Sequence, residues 1–369
     1  MNQFTSRLLA SASVLGATIF SASAAFAQEA GAGQLEEIVV TAQKREQNLQ
    51  DVPISITSFS GETLTKAGVV DIRGIQNIDS SLTIVTGGST TVPFIRGVGN
   101  PNTGPGNESS VTMYIDNIYY SRVTEAFLDI SNIERIEILK GPQGTLFGRN
   151  STGGLINIIT RDPSMSEMAL DATLGYGNYN TVTGKFYAST PLSDNAAIDI
   201  SVSAKDQQDG WGKNLFTGRD MWKAKYVNVR SKIVADLTDT TKVTLAGYYI
   251  DSRSQIGLQS TRPAKSPGLT PAIYGPPQII DASLIDFFDV NVNSEPFVTN
   301  EVYGGSVKIE QDLNFAEFMS TTSYLHSNQL FSIIGQVTAS PFIWYNLNTN
   351  DRQINQELQL KSKAGSPFD

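Results

Sequence analysis

The sequence predicts a small α+β domain followed by the first strands of an antiparallel transmembrane β-barrel. Three observations carry that expectation: a short apolar leader, a glycine-rich mixed segment ending near Pro163, and a two-residue hydrophobic period beyond it. After the leader no segment approaches the ~18 consecutive apolar residues of a spanning helix, so a membrane location requires strands closed into a barrel.

Composition narrows the chemistry first. The 369 residues include no Cys and a single His, His326. That excludes a disulfide scaffold, a thiolate zinc site and a cysteine nucleophile, and it leaves no His cluster for a metal or a triad. No cofactor, no metal and no catalytic residue are expected. A net charge of -9 argues against a nucleic-acid partner, which would need a basic stripe to displace phosphate counterions.

Residues 1–27 read as a secretory signal. Arg7 precedes the apolar run LLASASVLGATIF (8–20), and AFA at 25–27 sets small side chains before a cleavage point after Ala27. Residues 28–50 are a polar tether carrying one β-prone piece, EEIVVTA at 36–42, between AGAG (30–33) and KREQNLQ (44–50). Residues 51–163 alternate short apolar strands with glycine: VPISIT, SLTIV, PFIRGVG, VTMYIDNIYY, IERIEILKG and GGLINIIT. A short helical piece around DIRGIQNI has Asp71 as its cap.

From 164 to 369 the period becomes two. In MALDATLGY (168–176), Leu170, Ala172, Leu174 and Tyr176 share one face against Asp171, Thr173 and Gly175. AIDISVSAK (197–205) likewise sets Ile198, Ile200 and Val202 against Asp199, Ser201 and Ser203. Similar runs occupy 182–190, 226–236, about 241–251, 299–311, 316–327 and 352–361, about eight strands in all. A soluble sandwich also alternates, but here the connections decide. PLSDN (191–195), LTDTT (237–241) and the DLN turn (312–314) are tight, whereas 206–222, 252–298 and 328–350 are long and polar. Short turns on one rim and long loops on the other favour an outer-membrane barrel.

An eight-strand lumen cannot hold the domain that precedes it. Barrels with an occupied lumen have about 22 strands, needing about 220 residues before any loop. Roughly 200 residues follow Pro163, and the last of them, KSKAGSPFD, do not read as a closing strand. The expectation is an N-terminal part of an incomplete 22-stranded barrel.

These residues resemble the TonB-dependent receptors of Gram-negative outer membranes. EEIVVTA with KREQNLQDVPISITSFSGETL (44–64) is similar to the TonB box and the start of the plug. PFIRGVG (93–99) and VTMYIDNIYY (111–120) resemble the plug's middle strands, and IERIEILKGPQGTLFGRNSTGGLINIITRDP (133–163) its closing segment. The resemblance implies a periplasmic tether at 28–50, a plug at 51–163, and barrel strands at 164–369 surrounded by outer-membrane lipid. It also implies that Glu36, Glu37, Ile38, Val39, Val40, Thr41 and Ala42 meet the C-terminal domain of TonB. A β-branched segment on a flexible tether can add as a strand to a partner's sheet. An ordinary first strand of the plug sheet is the other reading of the same residues.

Arg96, Lys140 and Arg149 lie in apolar, glycine-rich stretches. They are expected to pair with Glu134, Glu137 or carboxylates on the barrel wall, solvated surface charge being the alternative. GPQGTLFGRNSTGG (141–154) lacks the GK[ST] ending of a phosphate loop. The polar stretches GGSTT (87–91), GNPNTGPGNESS (99–110) and YYSR (119–122) nominate Asn100, Asn102, Tyr119, Tyr120 and Arg122 for solute contact at the plug apex.

The function implied is energised import of a scarce small-molecule substrate such as a ferric siderophore. Family members carry ferric siderophores, cobalamin, haem or oligosaccharides, and the sequence does not choose among them. Two rivals stand beside it: a passive porin, and an inert fragment of a truncated receptor gene. No nucleophile, base and orienter constellation suggests an enzyme.

Overall fold

A computed structural model describes residues 39–41, 44–45, 47–69, 71–87, 90–101, 106–122, 132–215, 217–255, 286, 288–289, 295–334 and 344–363. The leader expected at 1–27 and the nominated Glu36, Glu37, Ile38, Ala42 and Asn102 lie outside them. Val40–Asp369 form one compact unit.

The first part of this unit is the expected α+β domain. Its elements are β1 (Val39–Val40), β2 (Gln47–Asn48), β3 (Ile56–Ser60), α1 (Gly61–Lys66), a 3-10 helix (Ile72–Asn77), β4 (Leu82–Gly87), β5 (Thr90–Ile95), β6 (Val111–Ile115), β7 (Ile118–Tyr120), β8 (Ile133–Lys140), α2 (Gly144–Phe147) and β9 (Gly154–Thr160). A five-stranded sheet runs in the order β3-β8-β9-β6-β7, with β4 and β5 as a separate hairpin and β1 with β2 as a short ladder. The sheet is mixed because β6 and β9 pair in parallel, whereas the other neighbours are antiparallel.

Its apolar residues, mostly isoleucine, fill a core. Ile72, Ile75, Ile95, Met113, Ile115, Ile136, Ile138, Ile156 and Ile158 pack together with almost no exposure. The Asp71 cap is present: its Oδ1 accepts from Arg73 N at 2.9 Å. Helix α1 was not assigned from sequence, although Ser60 Oγ caps it by accepting from Thr63 N at 3.2 Å and Glu62 pairs with Lys66 one turn on.

The second part is a single eight-stranded sheet. It comprises β10 (Ala169–Gly177), β11 (Thr181–Ser193), β12 (Ala196–Gln207), β15 (Ala224–Thr238), β16 (Thr241–Ser254), β17 (Phe297–Asp312), β18 (Ala316–Ile334) and β19 (Trp344–Ser362), each antiparallel to the last. A small ladder of β13 (Gly212–Lys213) and β14 (Asp220–Met221) stands between β12 and β15. Among the described residues β10 and β19 are edges that do not pair with each other, so the sheet is open. All eight expected strands occur, and several are longer than their periodic cores. β18 and β19 reach into 328–350, which the sequence assigns to a loop. Their ladder continues past the two-faced pattern, since NQLFSII (328–334) puts apolar residues on both faces and so carries no two-residue period to mark a strand.

The polarity of this sheet is inverted relative to a soluble protein. Asp199, Ser201 and Ser203 are buried, whereas Ile200 between them is exposed, Leu174 is 88% exposed and Leu358 65%. The buried polar face meets the α+β domain: Tyr248, Ile250, Val302 and Leu325 join the core around Ile115 and Ile138. No helix among the described residues is long and apolar enough to cross a membrane, which leaves crossing by strands open.

Candidate functional site

One polar row crosses the five-stranded sheet. Register sets Ser58, Glu137, Asn157, Tyr114 and Tyr119 side by side on β3, β8, β9, β6 and β7, so their side chains share a face. Glu137 has no solvent exposure. Its Oε1 accepts from Thr41 N at 2.9 Å and from Arg135 Nε at 2.9 Å, and its Oε2 accepts from Thr41 Oγ1 at 3.0 Å and from Asn157 Nδ2 at 3.1 Å. A buried carboxylate is tolerable only when its lone pairs are satisfied in this way.

Thus Thr41 and Val40 of the nominated 36–42 segment are docked on the sheet, Val40 against Tyr114, Leu139, Phe147 and Leu155. Lys44 follows, with Nζ 5.0 Å from the Tyr114 ring centroid, 4.7 Å from that of Phe147 and 2.7 Å from Glu357 on β19. Tyr114 donates to Phe147 O at 2.9 Å, and burial, then the charge of Glu357, push its phenol well above the ordinary value.

At the other end of the row the nominated solute contacts partly converge. Tyr119 Oη donates to Glu108 Oε2 at 3.2 Å and accepts from Asn150 Nδ2 at 3.2 Å, while Asn100 Nδ2 donates to Glu108 O at 3.0 Å. Burial, then the Glu108 charge, push the Tyr119 phenol up to about 12, so it remains a neutral donor. Gln353 of β19 donates through Nε2 to Tyr119 O at 2.6 Å, and Arg122 pairs with Asp351 on the same strand. Tyr120 does not join this group. It is 1% exposed and packs on Tyr248, with ring centroids 6.2 Å apart, which makes it part of the interior rather than of an accessible surface.

The expected charge pairs need correction. Lys140 pairs with Asp79 at 3.2 Å, Arg149 with Glu108 at 3.0 Å, and Arg96 Nη2 donates to Ser55 Oγ at 2.8 Å. Glu134 and Glu137 both pair with Arg135, at 2.5 and 2.9 Å. All these partners lie within the α+β domain, because local register brings a partner closer than the opposite wall does. On β8 the two-residue period puts Arg135 and Glu137 on one face.

The charges that do cross to the second sheet are others. Besides Lys44 and Arg122 there is Lys232 of β15, 6% exposed, whose Nζ lies 2.8 Å from Asp162 Oδ1, donates to Thr160 O at 3.1 Å and stands 3.7 Å from Asp116. Asp116 and Asn117, with φ of 48° and 67°, turn the β6–β7 hairpin, and Asp116 Oδ1 accepts from Thr160 N at 2.9 Å. Burial alone would raise the Asp162 carboxyl, but Lys232, with Lys308 and Lys242 behind it, holds it below the usual range. Sequence reasoning missed Lys232, though a lysine on the polar face of a membrane strand is the available clue. Among the described residues no group of His, Asp and Glu is arranged to hold a metal.

A mixed-sheet domain seated on the polar face of an antiparallel sheet, whose other face is apolar, defines a plug against the wall of an outer-membrane barrel. Residues 48–155 match the family described as TonB-dependent Receptor Plug Domain. The iron-regulated outer membrane virulence protein of Vibrio cholerae is 31% identical over 199 residues, 52% of this chain and 30% of that protein. The pesticin receptor of Yersinia pestis is 27% identical over 203 residues, 54% of this chain and 30% of the receptor. The solved ferric yersiniabactin uptake receptor FyuA of Yersinia pestis superposes with a TM-score of 0.69 at 20% identity, over 85% of this chain and 46% of that one, a likeness of fold. Through its plug and the strands that follow, the chain is thus similar to TonB-dependent receptors of the outer membrane. It spans about a third of the length of these curated relatives.

Proposed function

We propose that the chain acts in TonB-dependent import of a scarce solute, a ferric siderophore or similar organic complex, across the outer membrane. Residues 51–163 are its plug, 164–369 are wall strands of a barrel of about 22 strands, and 36–42 are the segment that the C-terminal domain of TonB grasps from the periplasm. One observation carries this reading. The chain just after 36–42 lies at the short-turn rim, where Arg45 Nη2 donates to Ser362 Oγ at 3.3 Å and Ser362 is paired with Ala316 beside the 312–316 turn. Short turns mark the periplasmic side, which is where an inner-membrane partner reaches.

The mechanism needs no bond of the solute to be made or broken. Solute meets the long loops and the plug surface around Asn100, Tyr119 and Arg122. Force applied to the tether then draws the plug from a wall it touches through ion pairs, hydrogen bonds and one apolar patch of Tyr248, Ile250, Val302 and Leu325. Around that patch the wall presents polar side chains such as Ser201, Ser203, Asn300 and Ser323, which limits the apolar area that displacement must expose. The names of the relatives, iron-regulated and yersiniabactin-taking, favour a ferric chelate as the solute.

The test is uptake of radiolabelled ferric siderophores by cells bearing the receptor, with and without residues 36–42, before and after collapse of the proton-motive force. Import should vanish with either treatment. Uptake unchanged by both would establish a passive porin instead, and no uptake under any condition would establish an inert fragment.

A further inference from the structure

The docked end of the 36–42 segment is held on the plug by the burial of Val40 and, at Thr41, by polar contacts centred on Glu137. β1 pairs with β2 and, among the described residues, adds no strand to the five-stranded sheet, so no backbone ladder ties Thr41 down. The polar contacts that hold it run to Glu137, 96 positions along the chain, and to Asn157, whose Nδ2 donates to Thr41 Oγ1 at 3.1 Å. The same Asn157 Nδ2 also donates to Glu137, so carboxylate, amide and hydroxyl form a closed set.

A partner that adds a strand must receive main-chain N–H groups from the segment it captures. The N–H of Thr41 is already spent on the Glu137 carboxylate, and the side chain beside it, Val40, is fully buried. Stowed and captured states of Thr41 therefore exclude each other.

Resting on the reading of 36–42 as the TonB-engaged segment, we propose that Glu137 is a positioning residue. It is a catch that stows the tether at Thr41 and sets how readily the segment becomes available to a strand-adding partner. Removing the Thr41 hydroxyl or the Glu137 charge releases the tether while the plug core stays folded.

The natural chain has no cysteine, so a single thiol reports without background. Val40→Cys is labelled with a maleimide in outer membranes from cells lacking TonB, which separates this test from any loss of import. The labelling rate should rise about tenfold or more when Thr41→Val or Glu137→Gln is added, since hydrogen bonds to a charged group are among the stronger ones. Thr41→Ser, which keeps the hydroxyl, should label at the parent rate, and combining Thr41→Val with Glu137→Gln should add nothing to either alone. In parallel, Val111→Cys reports the buried plug core and should stay unlabelled throughout. Parent-rate labelling of Val40→Cys in the Thr41→Val and Glu137→Gln backgrounds overturns the proposal. So does equal acceleration at Val111→Cys in the Thr41→Val background, since that change acts from the tether side.

Discussion

Lys140 lies at the end of β8, where a cation needs a partner at close range. It finds Asp79, 5% exposed, which also accepts from Ser81 Oγ at 2.6 Å and Ser81 N at 2.8 Å. Burial by itself would raise the Asp79 carboxyl; the two Ser81 bonds and Lys140 together outweigh it and leave it below the ordinary value. A depressed folded pKa means stability that is present above the unfolded value of about 3.9 and lost as pH falls through the folded one. Asp79→Asn should therefore destabilise the plug at neutral pH by roughly 2–3 kcal/mol, the cost of leaving Lys140 half-buried without its anion. Hydrogen exchange of the plug amides measures this, and the gap between wild type and variant should persist at pH 5 and close below about pH 4. At this scale the sequence was only partly legible. Lys140 and Glu137 stood out as charges in apolar strands, but their partners depend on a two-residue offset within β8 and on a loop, 79–81, that no periodicity marks.

Elements were far more legible, because the two-residue period of a membrane strand is imposed by its two different surroundings. Where those surroundings become alike, as at the long-loop ends of β18 and β19, the pattern fades and the strands outrun it. Glycine supplies a second kind of signal. Gly154 opens β9 at φ +135°, and a Cβ there would sit 2.2 Å from Leu139 O. Gly154→Ala should thus break the β8–β9 ladder at its start and cost about 2 kcal/mol or more, seen as loss of amide protection confined to β8 and β9. The hairpin turn at Asp116 has a different task, since it carries a carboxylate to the wall beside Lys232. Lys232→Met should leave Asp116 and Asp162 without their common cation and loosen the plug along β15. Planar-bilayer recordings of the variant should show brief conductance bursts that are rare in the parent protein, with the wall itself unchanged in thermal stability.

For the molecule as a whole the governing fact is that burial and polarity are reversed in one sheet and normal in the other. The plug hides isoleucine in the ordinary way, whereas the wall hides Ser201, Ser203, Asn300 and Ser323 and shows Leu245, Val307, Ile354 and Leu360. Water outside the wall would make that arrangement unstable, since each exposed leucine or valine forgoes about 1.5–3 kcal/mol of transfer energy; hydrocarbon removes the penalty. Val307 lies near the middle of the apolar run of β17 between Tyr303 and Ile309, with Leu245 opposite it on β16. Its neighbour Lys308 is accommodated because the strand turns it to the plug side, where it meets Glu310 at 3.1 Å. Val307→Lys moves the same charge by one residue onto the lipid face and should cost about 2–4 kcal/mol of membrane stability. The fraction of the receptor that migrates as a folded, heat-modifiable band after reconstitution should fall accordingly, while Val307→Ile leaves it unchanged. Equal folding of the lysine variant would mean that this face meets protein or water instead of lipid, and the wall would then have to be redrawn with its faces exchanged.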